Sequence, residues 1–113
     1  MKTITKMGAQ GDVLFLRVSG PFAGKWEEVS GENVIAHSET GHHHTVSGVG
    51  LRLLAGENPM VCHLMLGDEP AQVTHHRPWD THEALLLDGE PGAVWEVRRQ
   101  REWAPEGWRT VAD

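Results

Sequence analysis

The sequence predicts an all-β fold: a single β domain over residues 1–113, built as a compact sandwich or small barrel of about eight short, mostly antiparallel strands. Three observations carry this. Apolar runs are short and rich in Val and Leu. Clusters of Gly, Pro, Asn and Asp separate them roughly every eight to twelve residues, the rhythm of an all-β chain. No window keeps a helical period over the length that a stable helix needs.

Taken in order, the predicted strands are 12–18 (DVLFLRV), 33–37 (NVIAH), 42–48 (HHHTVSG), part of 50–55 (GLRLLA), 60–66 (MVCHLML), 71–76 (AQVTHH), 83–88 (EALLLD) and 93–102 (AVWEVRRQRE). The stretch KWEEVSGEN has room for one helical turn and no more. There is no internal repeat, linker or low-complexity segment.

Loop lengths suggest two hairpins. SETG joins 33–37 to 42–48; symmetric closure sets His37 opposite His42 and Ile35 opposite His44. Because side chains alternate along a strand, His37, His42 and His44 then share a face and His43 takes the other. GEPG joins 83–88 to 93–102, which sets Leu86 opposite Trp95, Ala84 opposite Val97, Glu83 opposite Arg98 and His82 opposite Arg99. A bulge would shift either register.

Composition narrows the function classes. Ten Lys and Arg against sixteen Asp and Glu give a formal charge of −6, which disfavours nucleic acid as a partner. The basic RRQR at 98–101 is flanked by Glu96 and Glu102. The single Cys62 has no internal disulfide partner and sits in the apolar run MVCHLML, which points to a reducing compartment. No apolar run approaches the ~18 residues of a spanning helix, and MKTITKMGAQ lacks a signal-peptide core. The expected protein is soluble, without a membrane partner and cytoplasmic when made, with the virion as a further location.

The histidines carry the main chemical signal. HSETGHHHTV, residues 37–46, holds four of the eight. Its place between two strands excludes an expression tag. H-x-H on a strand sends two imidazoles to one face, and a cross-strand His adds a third donor, a set suited to zinc and other transition metals. His42 and His44 are the expected first ligands, with His37, His82 and Glu83 as further candidates and zinc the first choice of ion. The competing reading is a solvated histidine-rich turn without metal. Glu83 has an alternative role in an ion pair with Arg98, and His63, inside an apolar run, reads as a hydrogen-bonded core histidine. His75 and His76 are adjacent, so at most one of them joins a given site.

Other chemistries find little support. There is no G-x-S-x-G elbow and no P-loop, and Cys62 and His63 are neighbours that point apart on a strand. A cupin-type enzyme combines a small β-barrel with H-x-H, but that pattern continues to a Glu, and TVSGVG after His44 has no carboxylate.

QGDVLFLRV, AHSETGHHH, THE and WEVRRQREWAPEGWR together resemble a family of small uncharacterised proteins from bacterial genomes, phages and prophages. Its members carry G-H-x-H, then H-E-x-H, then R-Q-R-E and an aromatic residue. His42, His44, His82, Glu83, the RQRE at 99–102 and Trp103 match here; Leu85 stands in place of the last His. The resemblance covers most of the chain outside roughly 50–70, and it implies a phage-linked, β-rich protein with a recurring His and Glu set.

Two function classes follow. The first is a structural or binding module, such as a capsid-decorating virion component. Its partner would be another protein, further copies of itself or a capsid lattice, with the five Trp as anchors. The second is a small metal-dependent, cupin-like enzyme that uses His42, His44 and His82. The non-enzyme is favoured, because no residue set supplies a complete acid, base and nucleophile.

Overall fold

The computed structural model describes residues 1–20, 22, 24–36, 43–55, 61–75, 84–99, 101–104 and 107–110. Among these there are strands and turns but no helix, hence no helix long and apolar enough to cross a membrane. The strands are β1 (Lys2–Ile4), β2 (Met7–Gln10), β3 (Val13–Val18), β4 (Glu27–Glu28), β5 (Asn33–Ala36), β6 (His44–Ser47), β7 (Arg52–Ala55), β8 (Val61–Met65), β9 (Ala71–His75), β10 (Leu85–Leu87), β11 (Val94–Arg99), β12 (Arg101–Ala104) and β13 (Gly107–Thr110). One sheet has the order β1-β10-β9-β6-β5 and a second β2-β3-β11-β8-β7-β4, while β12 and β13 form a separate ribbon. All pairs are antiparallel except β1 with β10. The fold is therefore an open two-sheet sandwich rather than a closed barrel.

All eight expected segments contain strands. The last, 93–102, holds β11 and the start of β12, and the segment KWEEVSGEN holds the two-residue β4 instead of a helical turn. The short β1, β2 and β13 complete the set.

Alternation builds the core. Val13 and Phe15 of β3, Leu64 of β8, and Trp95 and Val97 of β11 face inward from the six-stranded sheet. Val46, Val73, Leu85 and Leu87 meet them from the five-stranded sheet. Each fully buried side chain of this size contributes about 1.5–3 kcal/mol, and Trp95, with no exposed surface, is the largest.

Both expected hairpin registers need correction. β5 and β6 do pair, but Ala36, not Ile35, stands opposite His44, with an irregularity between Val34 and Ala36. Ile35 is the extra residue of a bulge, and its carbonyl accepts the Cys62 Sγ–H of the other sheet at 3.8 Å. The predicted facing of His37 and His42 lies outside the described residues.

The expected β10–β11 hairpin does not form. β10 pairs with β9 and β1, whereas β11 pairs with β3 and β8. The segment Asp88–Gly92 is a corner between sheets, tied down by Gly92 N–H to Leu66 O (2.9 Å) and Ala93 N–H to Glu90 O (3.0 Å). Consequently Leu85 and Leu87, rather than Ala84 and Leu86, are buried, and they meet Trp95 and Val97 across the core. Two apolar strands joined by a short Gly-Pro turn present the same local pattern whether they pair or cross the sandwich.

Candidate functional site

At one end of the sandwich a buried polar cluster interrupts the apolar core. Gln10, Asp12, His44 and His75 are 3%, 2%, 0% and 0% exposed, and with Thr45 at 6% they are the buried polar residues among the described ones. Two of them flank one glycine. The register Gln10↔Val13 leaves Gly11 and Asp12 as a two-residue turn, and Gly11 has φ 60°. Glycine at that first central position suits a type II′ hairpin turn, and the turn buries the side chains on both sides of it.

His44 opens β6 and His75 closes β9; the two are direct cross-strand partners. Their imidazoles stack with centroids 3.9 Å apart and planes 12° from parallel. Gln10 reaches across from the other sheet, its Nε2 donating to the Val73 carbonyl at 3.2 Å. The amide oxygen Oε1 is thereby turned to His44 Nδ1 at 2.9 Å. An amide oxygen only accepts, so His44 Nδ1 carries a proton. Its other nitrogen, Nε2, faces Asp12 Oδ1 at 3.5 Å. The second Asp12 oxygen, Oδ2, takes a hydrogen bond from Arg99 Nη2 at 3.1 Å. A guanidinium, a carboxylate, an imidazole and an amide thus run in a chain through the interior.

This end is also where the histidine-bearing segments leave the sheet. Ala36, His44 and His75 stand in one row across β5, β6 and β9, and Leu85 of β10 lies opposite Val73, two residues inside that row. Residues 37–43 connect β5 to β6 and 76–84 connect β9 to β10. Of the expected ligands, His44 is therefore in the cluster, while His37, His42, His82 and Glu83 lie outside the described residues. Among the described residues no three His, Cys, Asp or Glu side chains are placed to hold one metal ion.

The remaining sequence expectations resolve locally. His63 is half-buried and hydrogen-bonds its cross-strand partner Glu96, Nε2 to Oε1 at 3.1 Å, with the Phe22 ring 5.0 Å away and tilted by 44°. Arg98 binds Glu96 as well, Nε to Oε2 at 2.6 Å. Cys62 is partly buried, and burial pushes its thiol up to about 11.

Sequence reasoning missed Gln10, Asp12 and Arg99 as members of the site and left His75 open, as one of two adjacent histidines of which at most one could join. A signal for three of them was present: QGD, GHHH and RQRE are separate motif segments, and the fold brings Gln10, Asp12, His44 and Arg99 of those segments together. Residues 9–100, which span the whole cluster, match the family described as a domain of unknown function, DUF8820. The chain belongs to that family. No curated protein and no solved structure matches this DUF8820 chain.

Proposed function

We propose that this DUF8820 protein is a structural or binding module of phage or prophage origin, a virion component such as a capsid-decorating protein, and not an enzyme. The observation that carries the reading is the enclosure of the polar cluster. Its described carboxylate and imidazoles are at most 2% exposed, and a closed site of this kind fastens structure, whereas catalysis needs a position open to substrate. The cluster fastens the two sheets to each other, which suits a rigid module that docks on a protein partner. A histidine-held metal ion, zinc by preference, with His42, His44 and His82 as first ligands and His37 and Glu83 as further ones, would strengthen the same end. Phage origin is supported by the motif resemblance.

Such a module works as a closed homo-oligomer seated on a repeating lattice. The test is the mass of the purified protein in solution, measured by light scattering across a wide concentration range. A trimer or another closed ring is the expected result; a monomer at every concentration overturns the proposal.

One observation favours a second reading. The cupin-like pattern lacked a carboxylate after His44 in sequence, and Asp12 brings one beside His44 in space. A metal-dependent enzyme that uses His42, His44 and His82 would then have Asp12 as its carboxylate.

A further inference from the structure

The end of the β2–β3 hairpin away from the buried cluster borders a cleft of the opposite polarity. There Thr5 and Lys6 lead the chain from β1 in one sheet to β2 in the other, and β3 runs out through Arg17 and Val18 to Ser19. These residues line a cleft of about 310 Å³, at the lower end of the ~300–1,000 Å³ range of small-molecule sites. Its described side chains offer a guanidinium, an ammonium and two hydroxyls but no carboxylate. In a chain of formal charge −6 such a lining stands out.

The two cations are held side by side. The Arg17 N–H donates to the Lys6 carbonyl at 2.8 Å, so the residues are neighbours across the hairpin, where like charges repel. Arg17 is fixed in place. Its guanidinium carbon lies 6.0 Å from the Trp95 ring centroid, Nη1 donates to the Asp88 carbonyl at 3.5 Å, and Nη2 donates to Glu90 Oε1 at 3.0 Å. Those contacts leave part of the guanidinium's fork of donors unused. The Glu90 side chain is 72% exposed, so this ion pair is a surface one and easily outcompeted. It offsets one positive charge. Among the described residues no carboxylate pairs with Lys6. An anion seated between the two cations removes their repulsion, and the Thr5 and Ser19 hydroxyls add neutral donors. The oxygens of a tetrahedral anion point to several sides and can meet such spread donors at once, which a planar carboxylate does less well.

We propose that this cleft binds a tetrahedral oxyanion of the phosphate class, with Lys6 and Arg17 as its charged donors and the Thr5 and Ser19 hydroxyls as neutral ones. The anion is a free ion or the esterified end of a larger molecule. The site goes beyond the preceding reading and depends on neither the oligomer nor a metal.

The test follows the amide NMR signals of the full chain during titration with inorganic phosphate and with glycerol phosphate, at constant ionic strength and with chloride as the reference. Saturable shifts centred on Thr5, Lys6 and residues 17–19 are expected with both phosphates and not with chloride. Lys6→Gln, at an exposed position, is expected to weaken binding about tenfold, the size of a hydrogen bond to a charged group. Glu90→Gln removes the competing carboxylate and should strengthen binding by up to about fivefold, the size of an exposed ion pair. Lys25→Gln alters an exposed lysine of another cleft and should change nothing. Tighter binding of glycerol phosphate assigns the site to an esterified phosphate, and equal or weaker binding assigns it to the free ion; either result supports the proposal. Shifts that fail to saturate or match those with chloride overturn it. Equal weakening by Lys6→Gln and Lys25→Gln overturns it as well, since that is the mark of diffuse attraction by surface charge.

Discussion

His44 and His75 face each other as cross-strand partners on β6 and β9, with their rings stacked at 3.9 Å and no exposed surface on either. Polar rings are costly to bury unless their nitrogens are satisfied, so this pair depends on the groups around it. His75→Ala removes one ring of the stack and opens a cavity beside His44. We expect a loss of about 2–4 kcal/mol, the range for truncating a large buried side chain, measured by urea unfolding. A change within experimental error would show that the stack contributes nothing.

Trp95 and Leu86 separate the observed packing from the hairpin that local pattern suggests. In that hairpin the two would share one buried face. In the sandwich Trp95 is fully buried and Leu86 only half-buried. Trp95→Ala is expected to cost about 3–5 kcal/mol, and Leu86→Ala less than half as much. Equal losses would point back to the hairpin.

That contrast shows what local sequence could and could not reveal. Strands were legible because alternation and turn residues are local. Strand partners were not, because Leu85-Leu86-Leu87 offers an apolar side chain to either face and only the rest of the core selects one. The bulge at Ile35 was equally hidden: it depends on what lies across the sandwich, where Cys62 reaches its carbonyl. For the site, H-x-H announced His44. Asp12 and Arg99 stood in the QGD and RQRE segments, but nothing local tied either to His44, since they are 87 residues apart in sequence and meet only through strand pairing.

Cys62 gives a prediction in pH. Burial holds the folded thiol at about 11 against an ordinary value of 9.0. Because the folded value is raised, the folded state holds the proton more tightly than the unfolded chain. The associated stability is therefore complete below pH 9.0 and is lost as pH rises toward 11. Reactivity follows the thiolate. Iodoacetamide should label native protein slowly at neutral pH and faster as pH climbs past 9.0, whereas urea-unfolded protein labels readily. Native labelling as fast as unfolded labelling at neutral pH would contradict the burial.

Gly11 tests whether the turn positions the site. Its φ of 60° is unfavourable for a residue with a Cβ. Gly11→Ala should destabilise the protein by about 1–2 kcal/mol. The displaced turn should also shift the ring resonances of His44 and His75 in NMR spectra, because Gln10 and Asp12 flank the altered residue. A stability loss that leaves those resonances in place would separate the turn from the cluster.

Arg99 and Asp12 form the part of the cluster most sensitive to single substitutions. Asp12 is 2% exposed, and its Oδ2 receives Arg99 Nη2 at 3.1 Å. Removing a buried charge from water is costly, and the attraction of a well-placed partner offsets that cost without a large surplus. Loss of one partner is therefore worse than loss of both. Arg99→Met keeps much of the apolar stem but leaves the carboxylate without its guanidinium, and should cost about 3–5 kcal/mol. Asp12→Asn together with Arg99→Met removes both charges, and most of that loss should be recovered. Urea unfolding of the two single variants and the double variant gives the coupling directly, provided that all samples are freed of metal beforehand. A double variant whose loss equals the sum of the singles would mean that the two side chains do not stabilise each other, and the chain from Arg99 to His44 would have no energetic meaning.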